Sequence, residues 1–246
     1  MIEVESLTQR YGRLTAVDGI SFRVGRGEVV GFLGPNGAGK STVLKVLSTF
    51  LCPTAGRVTV GNLDVVTRSL AVRRLIGYLP GDTPVYPAMR VDRFLRFVAE
   101  ARGLRGHDLA AGLERVADLL GLAPALGQRL DQCSTGFRQR VGLATALVHD
   151  PPILLLDEPT HGFDPLQVLA FRELLRTLRP DRAILFSTHI VADVEAASDR
   201  VLVIHRGRLL GDGPTAALAA RAGVPGAPLE QVFAQLVRSS AGGADG

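Results

Sequence analysis

The sequence predicts an α/β fold with a largely parallel core sheet and an inserted helical lobe. Two patterns lead to this prediction. Short apolar runs typical of strands alternate with helical segments in the first and last thirds of the chain, which is the order found in parallel sheets. Between them, from residue 81 to about 149, the periodicity is helical only. We therefore expect one domain over residues 1–220, with a core of residues 1–80 and 150–220 that carries the lobe.

Individual elements follow from the same patterns. The predicted strands are residues 4–7, 20–24, 29–33, 58–60, 76–79, 153–156, 183–186 and 201–204. Helices are predicted over residues 40–51 and 166–178, and a short alanine-rich helix follows Gly213. In the lobe, one helix face would carry Phe94, Leu95, Val98 and Ala101, and another would carry Leu109, Leu113, Val116 and Leu120. In the C-terminal extension, residues 221–246, we expect an amphipathic turn or two from Leu229 and a disordered tail from Ser239.

Composition excludes several classes of protein. Hydrophobic residues make up 46% of the 246 residues, which is too many for a disordered chain. No run reaches the ~18 uncharged apolar residues of a membrane span, and the N-terminus, with Glu3 and Glu5, has no apolar signal region. Cys52 and Cys133 lack CxxC spacing, so we expect reduced thiols rather than a disulfide or zinc site. These features predict a cytoplasmic protein.

The net charge of +4 could indicate a nucleic-acid partner. The basic residues are spread along the chain, however, and no Lys/Arg-rich run is present. We therefore expect no specific nucleic-acid partner.

A phosphate-binding loop is predicted at residues 34–42, which read GPNGAGKST and match the pattern G-x-x-x-x-G-K-[ST]. An apolar strand ends just before this loop and a helix begins near Lys40, as the pattern requires. Glycines let backbone N–H groups approach phosphate oxygens. Lys40 would bind the β- and γ-phosphates, and Ser41 would ligate Mg²⁺. The expected nucleotide-binding residues of the loop are Gly34, Pro35, Asn36, Gly37, Ala38, Gly39, Lys40, Ser41 and Thr42.

Two carboxylates, Asp157 and Glu158, directly follow the apolar strand at residues 153–156. Ligands of parallel sheets bind outside the carboxyl ends of the strands, and a cation there would offset the desolvation of the carboxylates. Neighbouring strand residues point in opposite directions, so the two cannot share one role. We assign Asp157 to the Mg²⁺ ion and Glu158 to the attacking water as general base.

Three further segments are CSTGFRQR at residues 133–140, EPTHGFDP at 158–165 and STH at 187–189. With the phosphate loop, they resemble the ATP-binding subunits of ABC transporters, which are P-loop NTPases. The resemblance runs from Ile2 to about Leu218. It implies an ABC-type antiparallel β subdomain beside the core sheet, ATP as substrate and Mg²⁺ as cofactor. Residues 76–89, IGYLPGDTPVYPAM, and the ending LEQVF at 229–233 are similar to the prokaryotic drug, polysaccharide and gliding-type exporter branch.

The resemblance also implies roles for residues outside the phosphate loop. Tyr11 would stack on adenine, and Asp164 would shape the contact between two subunits. Ser134 and Gly136 would contact the γ-phosphate of an ATP held by the other subunit. His189 would reach the γ-phosphate as the switch histidine. The expected catalytic residues are Glu158, His189 and Lys40.

In such proteins each ATP lies between the phosphate loop of one subunit and the signature segment of the other. The resemblance therefore implies a second ATPase subunit, identical or different. It also implies a membrane permease on a separate chain, which would hold this protein at the inner face of the cell membrane. The transported cargo is not encoded here because its specificity lies in the permease.

The sequence departs from the family pattern at several positions. Gly81 stands where the family has Gln or Glu, and Asp82 follows it. The signature carries Cys133, Thr135 and Phe137, and the segment after Glu158 carries His161 and Phe163, in place of the usual residues. These departures leave open a slow or non-catalytic regulatory ATP-binding module. A second alternative is a soluble ABC ATPase acting on nucleic acid or the ribosome.

Overall fold

The computed structural model describes residues 1–82 and 85–242. Two positions of the 76–89 segment and the last four residues of the predicted tail therefore lie outside the described residues. Ten strands are present in this part of the chain: β1 (Ile2–Tyr11), β2 (Leu14–Val24), β3 (Glu28–Leu33), β4 (Ala55–Val60), β5 (Leu63–Asp64), β6 (Ile76–Leu79), β7 (Ile153–Asp157), β8 (Ala183–Thr188), β9 (Arg200–His205) and β10 (Arg208–Gly213).

Nine α-helices accompany the strands within the described ranges. They are α1 (Lys40–Leu47), α2 (Ser69–Leu75), α3 (Val91–Ala101), α4 (Gly106–Leu119), α5 (Thr135–Leu147), α6 (Pro165–Leu178), α7 (Val191–Ala197), α8 (Thr215–Arg221) and α9 (Leu229–Gly242). Among the described residues, none of these helices has the length and apolarity needed to cross a membrane.

The core sheet has six strands in the order β10-β9-β3-β8-β7-β6. β6, β7, β8, β3 and β9 run parallel to their neighbours, and β10 is antiparallel to β9. Every residue of β7 and β8 is buried, as expected for central strands covered on both faces. The prediction of a largely parallel core sheet is confirmed.

A second sheet of four antiparallel strands, in the order β2-β1-β4-β5, packs beside the core. Its inner face buries Ile2, Val4 and Leu7 of β1 together with Val43 and Leu44 of α1. Helix α1 therefore lies between the two sheets, which fixes the loop that precedes it.

The segment between β6 and β7 contains three α-helices, α3, α4 and α5, as its periodicity predicts. The predicted face of α3 was wrong at one of its four residues. Ala99 is fully buried, whereas Ala101 is exposed. The buried positions repeat from Val91, the first residue of the helix, through Phe94, Leu95 and Ala99, and Ala101 falls outside that stripe.

Two helix boundaries also differ from prediction. Helix α1 ends at Leu47 rather than at residue 51, because Thr49 takes a left-handed conformation (φ 65°) and the N–H of Phe50 returns to Lys45 O. At the other end of the chain, α9 runs for 14 residues, which is longer than the predicted turn or two, and it includes residues 239–242, which were predicted to belong to the tail. Burial of Leu229 and Val232 against the core stabilises this helix.

Candidate functional site

The phosphate loop connects β3 to α1, where its sequence places it. Gly39 precedes α1 with φ 109°, a conformation that a side chain would strain. A side chain at Gly34 would overlap the Ile204 carbonyl oxygen, and one at Gly39 would lie 2.7 Å from the Ala16 carbonyl oxygen. These glycines therefore let the loop pass close to the neighbouring backbone, with the N-terminus of α1 at its end.

Lys40 is buried, and its ammonium group is surrounded by oxygen atoms. Its Nζ donates to Gly34 O at 2.7 Å and to Pro35 O at 3.2 Å. Glu158 Oε1 lies 3.3 Å from the same nitrogen. The ammonium is thus held inside the curve of the loop, where a phosphate group would replace some of these oxygen contacts.

Asp157 is the last residue of β7 and is buried. Its Oδ1 accepts a hydrogen bond of 2.5 Å from Ser187 Oγ of β8. Its Oδ2 faces Gly81, where an added Cβ would lie 3.6 Å away. Ser187 therefore fixes one carboxylate oxygen and leaves the other directed toward the Gly81 side of the sheet edge.

Glu158 has a backbone conformation that is unusual for a residue with a side chain. Its φ is 47°, in the left-handed region. The Glu158 N–H donates to Ser187 O and to Ser187 Oγ, both at 3.1 Å, which holds this conformation. In this turn the carboxylate Oε2 lies 3.0 Å from Nδ1 of His189. One carboxylate thus contacts both Lys40 and His189, and the structure brings the three predicted catalytic residues together.

Two cavities meet at Glu158. The first, of about 320 Å³, is lined by the phosphate loop, Glu158 and the half-exposed ring of Tyr11. The second, of about 500 Å³, is lined by Ser41, Asp157, Glu158 and His189, with Gly81 and Asp82 at its edge. The predicted nucleotide-binding and metal-binding residues of the phosphate loop and of β7 therefore share one surface.

The donors in the second cavity suit Mg²⁺, which prefers oxygen ligands. Ser41 contributes a hydroxyl and Asp157 a carboxylate oxygen, and the carboxylates of Glu158 and Asp82 line the same cavity. Within residues 1–82 and 85–242, no cluster of three or more His, Cys, Asp or Glu side chains could hold a metal. A Mg²⁺ ion at this place would use one or two protein ligands and complete its shell with phosphate oxygens and water.

Tyr78 of β6 lines the same cavity. Burial raises the pKa of its hydroxyl well above the ordinary value, and the negative charge of Asp157 raises it further. The phenol therefore stays neutral beside Asp157 at physiological pH.

The signature segment lies at the start of α5. Ser134 is its N-cap, with Oγ accepting from Phe137 N at 3.2 Å. A side chain at Gly136 would overlap the Gln167 amide oxygen of α6. Asp164 caps α6, and its Oδ1 accepts from Gln167 N at 2.9 Å. The signature and the Asp164 segment therefore pack on each other, and the described lining of the two cavities includes neither Ser134 nor Gly136.

Sequence reasoning did not identify Gln139, a buried residue of α5. Its Nε2 donates to Glu158 O at 3.3 Å and to Pro159 O at 3.2 Å. The signature helix thus holds the backbone of the Glu158 turn. One sequence feature could have identified it: Gln139 is a polar residue on an otherwise apolar helix face, three positions after Gly136.

Comparison with known proteins identifies the family of the chain. A family model described as ABC transporter matches residues 17–161. The probable multidrug ABC transporter ATP-binding protein YbhF of Escherichia coli is 35% identical over 241 residues, which cover 96% of this chain and 42% of YbhF. The chain therefore spans less than half of that relative.

A second relative has a more similar length. The ABC transporter ATP-binding protein NatA of Bacillus subtilis is 39% identical over 200 residues, which cover 80% of this chain and 81% of NatA. Among solved structures, an ATP-binding subunit of an ABC transporter superposes with a TM-score of 0.89 at 29% identity, covering 96% of this chain and 99% of that one.

Proposed function

This chain belongs to the ABC transporter family, and from that premise we propose that it binds and hydrolyses ATP to drive transport through a separate membrane permease. The observation that carries the proposal is the Glu158 carboxylate, which contacts Lys40 and His189 at the mouth of the phosphate loop. A base, a phosphate-binding cation and a second polar group then converge where the terminal phosphate would lie.

Lys40 and Glu158 take different parts in the reaction. The Lys40 ammonium binds the β- and γ-phosphates, giving up contacts with its surrounding oxygens. Glu158 Oε1 is then released from Lys40 and accepts a proton from the water that attacks the γ-phosphate. Ser41 and Asp157 would hold Mg²⁺, and the ion would supply positive charge to stabilise the phosphate oxygens.

His189 keeps Glu158 in place and contacts the γ-phosphate. Its Nδ1 lies 3.0 Å from Glu158 Oε2, and 47% of its side chain is exposed toward the cavity. The carboxylate accepts this hydrogen bond when Nδ1 carries the proton, which leaves Nε2 directed away from Glu158. Tyr11 at the outer rim of the loop provides a ring on which adenine stacks.

The site is completed by a second subunit. Ser134 and Gly136 begin an α-helix whose N-terminal N–H groups suit a phosphate, yet they lie outside the described cavities of their own chain. We assign them to the ATP of a partner subunit, with Asp164 at the contact between subunits. Homodimer and heterodimer both satisfy this geometry.

The permease docks in the groove of about 900 Å³ between α2 and α3. Phe50, Leu70 and Phe97 line it and are 74%, 71% and 49% exposed. Arg73 and Arg74 add positive charge. The chemistry favours a cytoplasmic segment of the permease that carries apolar side chains and a carboxylate. This docking would place the protein at the inner face of the membrane, and similarity to a probable multidrug protein favours export.

The test is the Mg²⁺-dependent ATPase rate of the purified chain as a function of protein concentration. We expect the specific activity to rise with concentration, because two subunits form each site. Glu158→Gln should lose at least ~100-fold in rate while retaining ATP binding, since it keeps the shape and loses the base. A rate in Glu158→Gln equal to that of the wild type, or a specific activity independent of concentration, would contradict the proposal.

A further inference from the structure

Asp193 of α7 is a buried carboxylate, 5% exposed, and lies four residues after His189. Its Oδ2 accepts a hydrogen bond of 2.8 Å from Thr160 Oγ1, and Thr160 is also buried. Its Oδ1 accepts one of 3.1 Å from Arg172 Nη2 of α6. Both oxygens are therefore engaged, one by the loop after β7 and the other by α6.

These contacts join the two chain segments that carry Glu158 and His189. Thr160 lies two residues after Glu158, in a turn closed by the His161 N–H bond to Glu158 O at 3.1 Å. Asp193 is on the helix that begins directly after the His189 turn. The Glu158–His189 contact of 3.0 Å depends on the relative placement of these two segments.

A charged group at this position needs an explanation, because burying a carboxylate is costly unless it is paired and hydrogen-bonded. Glu158 sits in a strained left-handed conformation that its surroundings must maintain. The Thr160–Asp193–Arg172 contacts tie the turn to α7 and α6, and the Gln139 bond to Pro159 O ties it to α5.

We propose that Asp193 is a positioning residue for ATP hydrolysis, which acts by tying Thr160 to α7 so that the Glu158 carboxylate and the His189 ring keep their contact. This inference rests on the proposed function for its kinetic consequence. A misplacement of about 1 Å in a catalytic group can cost ~100-fold in rate. Substitution of outer residues that orient such groups typically costs about 10- to 100-fold.

The structural part is tested by amide hydrogen exchange on the full chain. We expect faster exchange over residues 158–163 in Thr160→Val and in Asp193→Asn than in the wild type. Thr160→Ser, which keeps the hydroxyl, should restore slow exchange. Thr145→Val is the matched control, because the Thr145 hydroxyl donates to Gly142 O within α5, away from the site. Wild-type exchange over residues 158–163 in both Thr160→Val and Asp193→Asn would overturn the inference.

The kinetic part uses the same variants. Thr160→Val and Asp193→Asn should each lower kcat about 10- to 100-fold with KM for ATP changed less than about twofold. The double variant should lose no more than Asp193→Asn alone, because the contact removed by Thr160→Val is one of the two that Asp193→Asn disturbs. A normal kcat in both variants, or equal losses in Thr160→Val and Thr160→Ser, would refute the positioning role. An inactive wild type would contradict the proposed function instead, and the exchange result would still decide whether Asp193 holds the turn.

Discussion

Two glycines of one segment, Gly77 and Gly81, should respond in opposite ways to the same substitution. An added Cβ at Gly81 meets nothing closer than Asp157 Oδ2, at 3.6 Å, and Gly81 is not among the residues with positive φ. An added Cβ at Gly77 of β6 would overlap the Ala146 carbonyl oxygen of α5 and lie 2.8 Å from Leu154 Cδ2. Gly81 therefore has room for a side chain, and Gly77 does not.

The expected magnitudes follow from these distances. Gly81→Ala should raise the free energy of unfolding by about 0.4–1 kcal/mol, because it reduces the entropy of the unfolded chain without strain. Gly77→Ala should lower it by about 1–3 kcal/mol or more, since α5 must move away from β6. For a chain of this size these values correspond to a Tm rise of roughly 1–4 °C and a fall of at least about 2 °C.

Thermal unfolding of the two variants and the wild type, followed by circular dichroism, measures both changes. ATPase assays on Gly81→Ala show in addition whether a methyl group at this position changes the turnover rate. A lower Tm in Gly81→Ala would refute the reasoning, because it would mean that the loop requires glycine for its backbone conformation. A Tm of Gly77→Ala equal to that of the wild type would show that α5 and β6 are not packed as described.

Three further predictions concern the nucleotide site and its surroundings. Ser134→Ala removes the N-cap of α5 and should lower the free energy of unfolding by ~1 kcal/mol. The same variant should lose much more ATPase activity than a slightly less stable protein would. An ATPase rate close to that of the wild type would contradict a role of Ser134 in the partner's site. Tyr11→Ala should raise KM for ATP about 2- to 10-fold. The Tm should stay unchanged because the ring is 45% exposed. An unchanged KM would contradict stacking of adenine on Tyr11. His149 has a pKa of about 4, lowered chiefly by burial. Between pH 6.5 and about 4, His149 binds a proton in the unfolded chain but not in the folded protein. The stability of the wild type should therefore fall as the pH falls through that window, and it should fall less steeply in His149→Asn. Parallel pH profiles of Tm for these two proteins would contradict this.

The parts of the site that sequence reasoning predicted are those encoded locally. Consecutive residues with a recognisable pattern predict three features: the phosphate loop, the start of α1 at Lys40 and the acidic end of β7. In each of them the local sequence is compatible with a single backbone conformation. The resemblance added His189, and the structure places its ring against Glu158.

The parts that were missed depend on contacts between distant segments. Gln139 and Asp193 read as ordinary polar residues of helices, and only the packing of α5 and α7 against the β7 turn reveals their partners. The short elements β5, α2, α7 and β10 were missed because two to seven residues carry too little periodicity to be recognised. The order of strands in the core sheet is likewise set by long-range pairing.

The left-handed backbone at Glu158 makes selection for stability and selection for activity conflict at one position. A non-glycine residue in that region costs ~1–2 kcal/mol, and glycine or asparagine would lower the cost. A library screened only for heat resistance or expression should therefore enrich Glu158→Gly and Glu158→Asn, and with them folded but inactive protein. Any screen for stabilised variants of this protein therefore has to keep residue 158 as glutamate.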